Sequence, residues 1–198
     1  MILRVLLLVA LLPGSAFAAG EADPDWPCIQ RRQPQLSLGQ VWAGPQPDDA
    51  ITARAAEPEI QRVASVLALR RTSPEEAAAL VETFVAGGSD PARLTALYLA
   101  TFNHIQRTRD RVMAGITRYA HKQAGLDEQI KARRHEFERL SAADSPDFDA
   151  IDKAEQDIDW STRIFQDRQQ ALTYVCETPV ILEQRAFAIG RLISGKLQ

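Results

Sequence analysis

The sequence predicts an all-α protein: a long antiparallel two-helix coiled-coil hairpin, a small helical bundle at its base and an extended N-terminal strap. Three observations carry this. Apolar residues step by four and three through Tyr98, Phe102, Ile105, Val112, Ile116, Tyr119, Leu126, Ile130, Phe137 and Leu140, interrupted at the series' own positions by Arg109, Gln123 and Arg133. After a break at Ser141 to Pro146, the same spacing resumes in Phe148, Ile151, Glu155, Ile158, Thr162, Phe165, Gln169, Leu172 and Cys176. No strand pattern competes. Such a 4-3 alternation, sustained over about six heptads, keeps one stripe facing a partner helix, and a connection of roughly five residues favours an antiparallel neighbour.

The arms are expected over about 91–141 and 146–197, each roughly 75 Å long if fully helical. At the turn, Ser145 is placed to cap and Pro146 to open the second arm, where its missing N–H costs no helical bond. Counting outward pairs Leu140 with Phe148, Phe137 with Ile151, Arg133 with Glu155, Ile130 with Ile158, Ile116 with Leu172 and Val112 with Cys176. Arg133 and Glu155 read either as a polar pair that fixes register or as two solvated side chains.

Residues 1–18 read as a secretory leader. Arg4 supplies the positive end, Val5 to Leu12 the apolar run, and Ala16-Phe17-Ala18 the small residues at the cleavage positions. The apolar run is shorter than the roughly 20 residues a bilayer span needs. Export to the periplasm is the expectation. Of 23 basic and 26 acidic residues, Arg4 would leave with the leader, taking the net charge from −3 to −4. That balance calls for neither nucleic acid nor an anionic membrane as partner.

Residues 19–49 are rich in Pro, Gly and Gln and keep no period, which predicts an extended strap. Trp26 and Trp42 within it either bury their rings on the helices or form an aromatic platform for a ligand. The helical domain spans 50–198. A first helix is expected from Asp49 or Pro58 to Arg71, with Ile60, Val63, Val66, Leu67 and Leu69 beside Arg62, Arg70 and Arg71. Ser73-Pro74-Glu75-Glu76 is a capping box with proline at the first helical position, and Gly87-Gly88 ends the helix it starts. Asp90-Pro91 opens the first long arm. These short helices are expected to cover Leu94, Leu97, Tyr98 and Phe102. Val180, Ile181, Leu182, Phe187, Ile189, Leu192 and Ile193 exceed what a two-helix seam can bury, so this end is a bundle and the far end a stalk. Pro179 removes one backbone bond inside the second arm.

In an exported chain, two cysteines without C-x-x-C spacing point to one structural disulfide, Cys28 with Cys176; the alternative is free thiols or bridges to another chain. His121 and His135 lie about 21 Å apart along a helix, too far to share a metal. Asp152, Glu155, Asp157 and Asp159 read as a solvated charged face. No nucleophile elbow, phosphate loop, zinc motif or dinucleotide fingerprint occurs, and no cofactor is called for.

Asp25-Trp26-Pro27-Cys28 and Thr173-Tyr174-Val175-Cys176-Glu177, with Leu182-Glu183-Gln184-Arg185 after the second, resemble an uncharacterised group of short secreted helical proteobacterial proteins with paired DWPC and TYVCE segments. The resemblance implies no activity. Two functional expectations follow from the residues. The first is a periplasmic scaffold or adaptor, holdase-like, that engages another protein through its stalk or tip, Ser141, Asp144 and Asp147, with self-association left open. The second is a small-molecule- or metal-binding accessory to an enzyme, with a site at the base around Trp26, Tyr174, Glu177 and Arg185. No catalytic constellation supports an enzyme.

Overall fold

The computed structural model describes residues 23–88 and 90–197, and the leader expected over 1–18 lies outside them. Among the described residues the chain is all-α, with six helices and no strand. α1 (Leu38–Val41) is a single turn within the strap, followed by α2 (Asp49–Arg54), α3 (Pro58–Leu67), α4 (Pro74–Ala86), α5 (Pro91–Ser141) and α6 (Phe148–Ser194).

The short helices begin and end where local chemistry dictates. Asp48 accepts from the Ile51 amide at 2.8 Å to start α2. Ala55 after α2 is still in the helical region, but Glu57, the residue before Pro58, is driven out of it, so α2 does not run on and Pro58 opens a separate α3. Ser73 and Glu76 close the expected capping box, each side chain accepting from the other's backbone amide, at 3.1 and 2.8 Å. Gly88 has φ 93°, where a side chain would be strained, and follows the end of α4. Asp90 then caps α5 by accepting from the Arg93 amide at 2.6 Å. That bond first, and the Arg54 guanidinium beside it, hold the Asp90 carboxyl below its usual range.

α5 and α6 lie against each other, and the contacts between them are compatible with the antiparallel register that the turn implies. Gln123 donates to the Phe165 carbonyl at 3.2 Å, seven residues toward the base from the expected Ile130–Ile158 layer. The Tyr119 hydroxyl donates to the Arg168 carbonyl one layer further down. The three interruptions of the apolar stripe are polar anchors. Arg109, buried, donates to the Pro34 carbonyl of the strap at 3.3 Å; Gln123 reaches α6; Arg133 donates to the Asp157 carbonyl at 3.1 Å and to the Ser161 hydroxyl. Burial holds the Arg109 guanidinium pKa down, opposed by the nearby charges of Glu183 and Asp110.

The structure corrects the expected tip in three places. α6 starts at Phe148 with Asp147 as its cap, accepting from the Ala150 amide at 3.1 Å, while Ser145 and Pro146 stay in the turn. A carboxylate is the better partner for the positive end of a helix. Phe148, expected against Leu140, is instead largely exposed, since it stands in the first turn of α6 at the very end of the seam. Arg133 bonds to Asp157 and Ser161 rather than Glu155, which is exposed.

At the other end, Ile60, Leu67, Val81, Phe84, Leu94, Leu97, Tyr98, Ile105, Leu182, Ile189 and Ile193 form one continuous core with Trp42 of the strap. Burying each such aliphatic side chain contributes about 1.5–3 kcal/mol before conformational costs. Two of the residues expected in this core, Ile181 and Phe187, remain exposed. Tyr98 is the centre of the bundle. Its ring stacks on Trp42 at 4.3 Å, and its hydroxyl lies 3.0 Å from the Val41 carbonyl and 3.2 Å from that of Ala186. Burial pushes its phenol pKa well up.

Candidate functional site: the foot of the stalk and the outer face of the second arm

The strap is fastened where bundle becomes stalk. Cys28 and Cys176 are disulfide-bonded, with Cα atoms 5.6 Å apart and a separation of 148 in sequence. Trp26 is buried against Met113 and Ile116, and Cys28 and Val112 both pack against this small cluster. The Trp26 indole N–H donates to the Gln30 carbonyl at 2.6 Å. One residue earlier, Asp25 accepts from Thr117 through its carbonyl at 3.0 Å and meets the His121 ring through its carboxylate at 2.6 Å. Both tryptophans therefore bury their rings, and the strap grips α5 by hydrogen bonds and α6 by a covalent one.

The four residues expected to form a base site are not gathered into one. Trp26 belongs to the bridge cluster. Tyr174, two residues before Cys176, points to the opposite side of α6 and is 75% exposed; Glu177 is exposed as well. Arg185 is spent elsewhere, donating to the Leu67 carbonyl at 2.9 Å and the Thr72 carbonyl at 2.8 Å, which closes the C-terminal end of α3. Burial lowers its pKa. Among the described residues, no group of three His, Cys, Asp or Glu side chains could hold a metal. At the tip, Ser141 ends α5, Asp147 caps α6 and Asp144 is exposed between them.

A groove of about 570 Å³ runs beside the bridge, lined by Pro24, Trp26, Ile29, Ala120, Phe165 and Leu172 among others. Its walls are mainly apolar. The side-chain oxygens of Gln30 and Gln123, both in its lining, are buried without a hydrogen-bond partner.

The feature that sequence reasoning passed over is the outer face of α6. Six of the nine exposed large hydrophobic residues among the described residues lie on this one helix: Phe148, Trp160, Tyr174, Val175, Ile181 and Phe187. α5, slightly longer, has none. Trp160 is 63% exposed and sits midway between the seam positions Ile158 and Thr162, as Tyr174 sits between Leu172 and Cys176. Trp160, Tyr174 and Ile181 thus follow one line at multiples of seven residues, on the side away from α5. The signal was present, since the seven-residue period that marks inward positions marks outward ones too.

No protein-family model, curated protein or solved structure matches the chain. Among the described residues, no helix is long and apolar enough to cross a membrane.

Proposed function

We propose that the protein is an exported, periplasmic scaffold that engages another protein through the outer face of α6, with the hairpin giving that face its reach. The observation that carries this is the one-sided distribution of large apolar side chains: six exposed on α6 and none on α5. Dispersed exposed apolar residues need no explanation, but an aligned Trp, Tyr and Ile on an otherwise polar helix has the composition of a binding hot spot. The filled core at the base argues in the same direction. Export rests on the leader composition and on the disulfide, which persists in oxidising compartments.

Site-specific photocrosslinking in periplasm tests the reading. A crosslinker at Trp160 or Tyr174 should capture a discrete partner, and one at Arg118 or Arg134 on α5 should not. Equal capture from both arms, or loss of capture on replacing Ala142-Ala143-Asp144 at the tip but not on Trp160→Glu, would move the contact away from α6.

The foot groove supports a second reading, a small-ligand site. Two buried amide oxygens without donors, beside an indole ring and an apolar wall, suit a compact ligand that carries N–H or O–H groups. Gln123→Leu would abolish binding of such a ligand while leaving crosslinking from Trp160 intact.

A further inference from the structure

Four of the described arginines are paired with carboxylates. Arg32 pairs with Asp23, Arg54 with Asp90 and Glu57, Arg93 with Glu59, and Arg139 with Glu136. Of those without such a partner, four stand together in one place. Arg70 and Arg71, in the turn after α3, and Arg107 and Arg111, one helical turn apart on α5, line a single concavity of about 930 Å³ that Thr178 and Leu182 of α6 close on the third side. No Asp or Glu is in its lining, although the chain has more acidic than basic residues. Among the described residues, none of the four has a carboxylate within ion-pair distance.

Three of the four meet neutral groups, which hold the guanidiniums in place without cancelling charge. Arg70 donates to the Thr178 hydroxyl at 3.3 Å and Arg111 to the Thr108 hydroxyl at 3.2 Å. Arg107 donates to Nδ1 of His104 at 3.0 Å, which leaves the His104 Nε2–H to donate to the Gln61 side chain at 2.9 Å. Burial first, and the Arg107 charge second, keep this ring neutral to lower pH than usual. Like charges four residues apart on a helix repel, and walls of one sign in a concavity concentrate the field there. Four guanidinium groups without a counter-charge, three of them oriented by neutral partners, are the chemistry that recognises a phosphoryl-type oxyanion.

We infer that this concavity binds a phosphate-bearing ligand with two or more negative charges. Its source is a soluble phosphate compound or the headgroup of an anionic lipid. Leu69 and Arg71 also line an adjoining, mostly apolar groove of about 580 Å³ between α3 and α4, with Val66 and Leu80, which would take an acyl chain. The site is independent of the α6 face, so either proposal can fail alone.

Calorimetric titration with pyrophosphate at fixed ionic strength, and co-sedimentation with phosphatidylglycerol or phosphatidylcholine vesicles, test it on the purified disulfide-bonded protein. Binding to pyrophosphate or to phosphatidylglycerol vesicles should weaken tenfold or more in the pair Arg70→Gln/Arg107→Gln. It should be unchanged in Arg118→Gln/Arg134→Gln, which removes the same charge from α5 outside the site. Pyrophosphate binding that vesicles do not compete for identifies a soluble ligand; vesicle binding with little affinity for pyrophosphate identifies a headgroup. If the first pair fails to fold, Arg70→Lys/Arg107→Lys must still bind more weakly than the control pair. Absence of binding to both probes, or equal loss in site and control variants, overturns the inference.

Discussion

Gly190 of α6 lies directly beneath the carbonyl oxygen of Val41, so close that a Cβ at position 190 would overlap that oxygen and come within 3.2 Å of the Tyr98 ring and hydroxyl. The absence of a side chain here lets the strap lie on the bundle and lets Tyr98 reach Val41. Gly190→Ala should therefore destabilise by about 1–3 kcal/mol through overpacking, although alanine in a helix interior is otherwise preferred by roughly 0.5–1 kcal/mol. Gly125 of α5 supplies the control, since a Cβ there meets nothing within 4 Å. Gly125→Ala should stabilise by roughly 0.5–1 kcal/mol. Opposite signs in urea denaturation of the two variants are the expected result.

The disulfide closes a loop of 148 residues, for which chain entropy alone gives about 5 kcal/mol. Reduction, or Cys28→Ser with Cys176→Ser, should lower stability by up to about that amount and release Trp26, with a red shift of its fluorescence. Alkylation without reductant, followed by intact mass, should find no modified cysteine.

Hydrogen-bond partners near the tip make Arg133 and Glu155 unequal. Arg133→Ala strips a donor from the buried Ser161 hydroxyl and should cost roughly 1 kcal/mol, below the usual range for charged hydrogen bonds because the arginine is exposed to water. Glu155→Ala should stay within about 0.5 kcal/mol. A double-mutant cycle should show no coupling between the two.

Neutral His104 ties Arg107 to Gln61, and its folded-state pKa is lowered, mainly by burial. The unfolded chain then binds the proton more readily, so the stabilisation is complete above about pH 6.5, the ordinary histidine value, and is lost as pH falls through the folded value. Urea midpoints of the wild type should drop on acidification through this window, and His104→Gln should remove much of that drop.

The hairpin was legible because the cause of pairing, a stripe repeating every seven residues, is written in one local stretch of each arm. Pro74 after Ser73, and Gly88 after the helix they begin, were legible for the same reason: caps and stops act within four residues. Arg185 was not, because the Leu67 carbonyl it satisfies is 118 residues away and only folding reveals that the end of α3 needs a donor. Tyr174 and Glu177 drew notice by standing next to Cys176, but chain neighbours on a helix point in different directions, and two residues from a seam position is outward. Phe148 fitted the seam period, yet its first-turn position at the very end of the seam left it largely exposed. The four arginines of the basic concavity come from two segments and their third wall from another, so no window of sequence contains them.

A two-helix stalk is a zipper in which each layer touches only the layers beside it, so it opens from its free end one layer at a time and its opening has no intrinsic stopping point. The bond from Cys28 to Cys176, with Thr117 and His121 held by Asp25, supplies one. Above it, amide protection should climb steadily from Ser141 and Phe148 toward the bridge, on timescales of local fraying. Below it, amides should exchange together, only when the bundle itself unfolds. The clasp at the foot thus divides one continuous pair of helices into a segment that can yield to a partner and a segment that cannot.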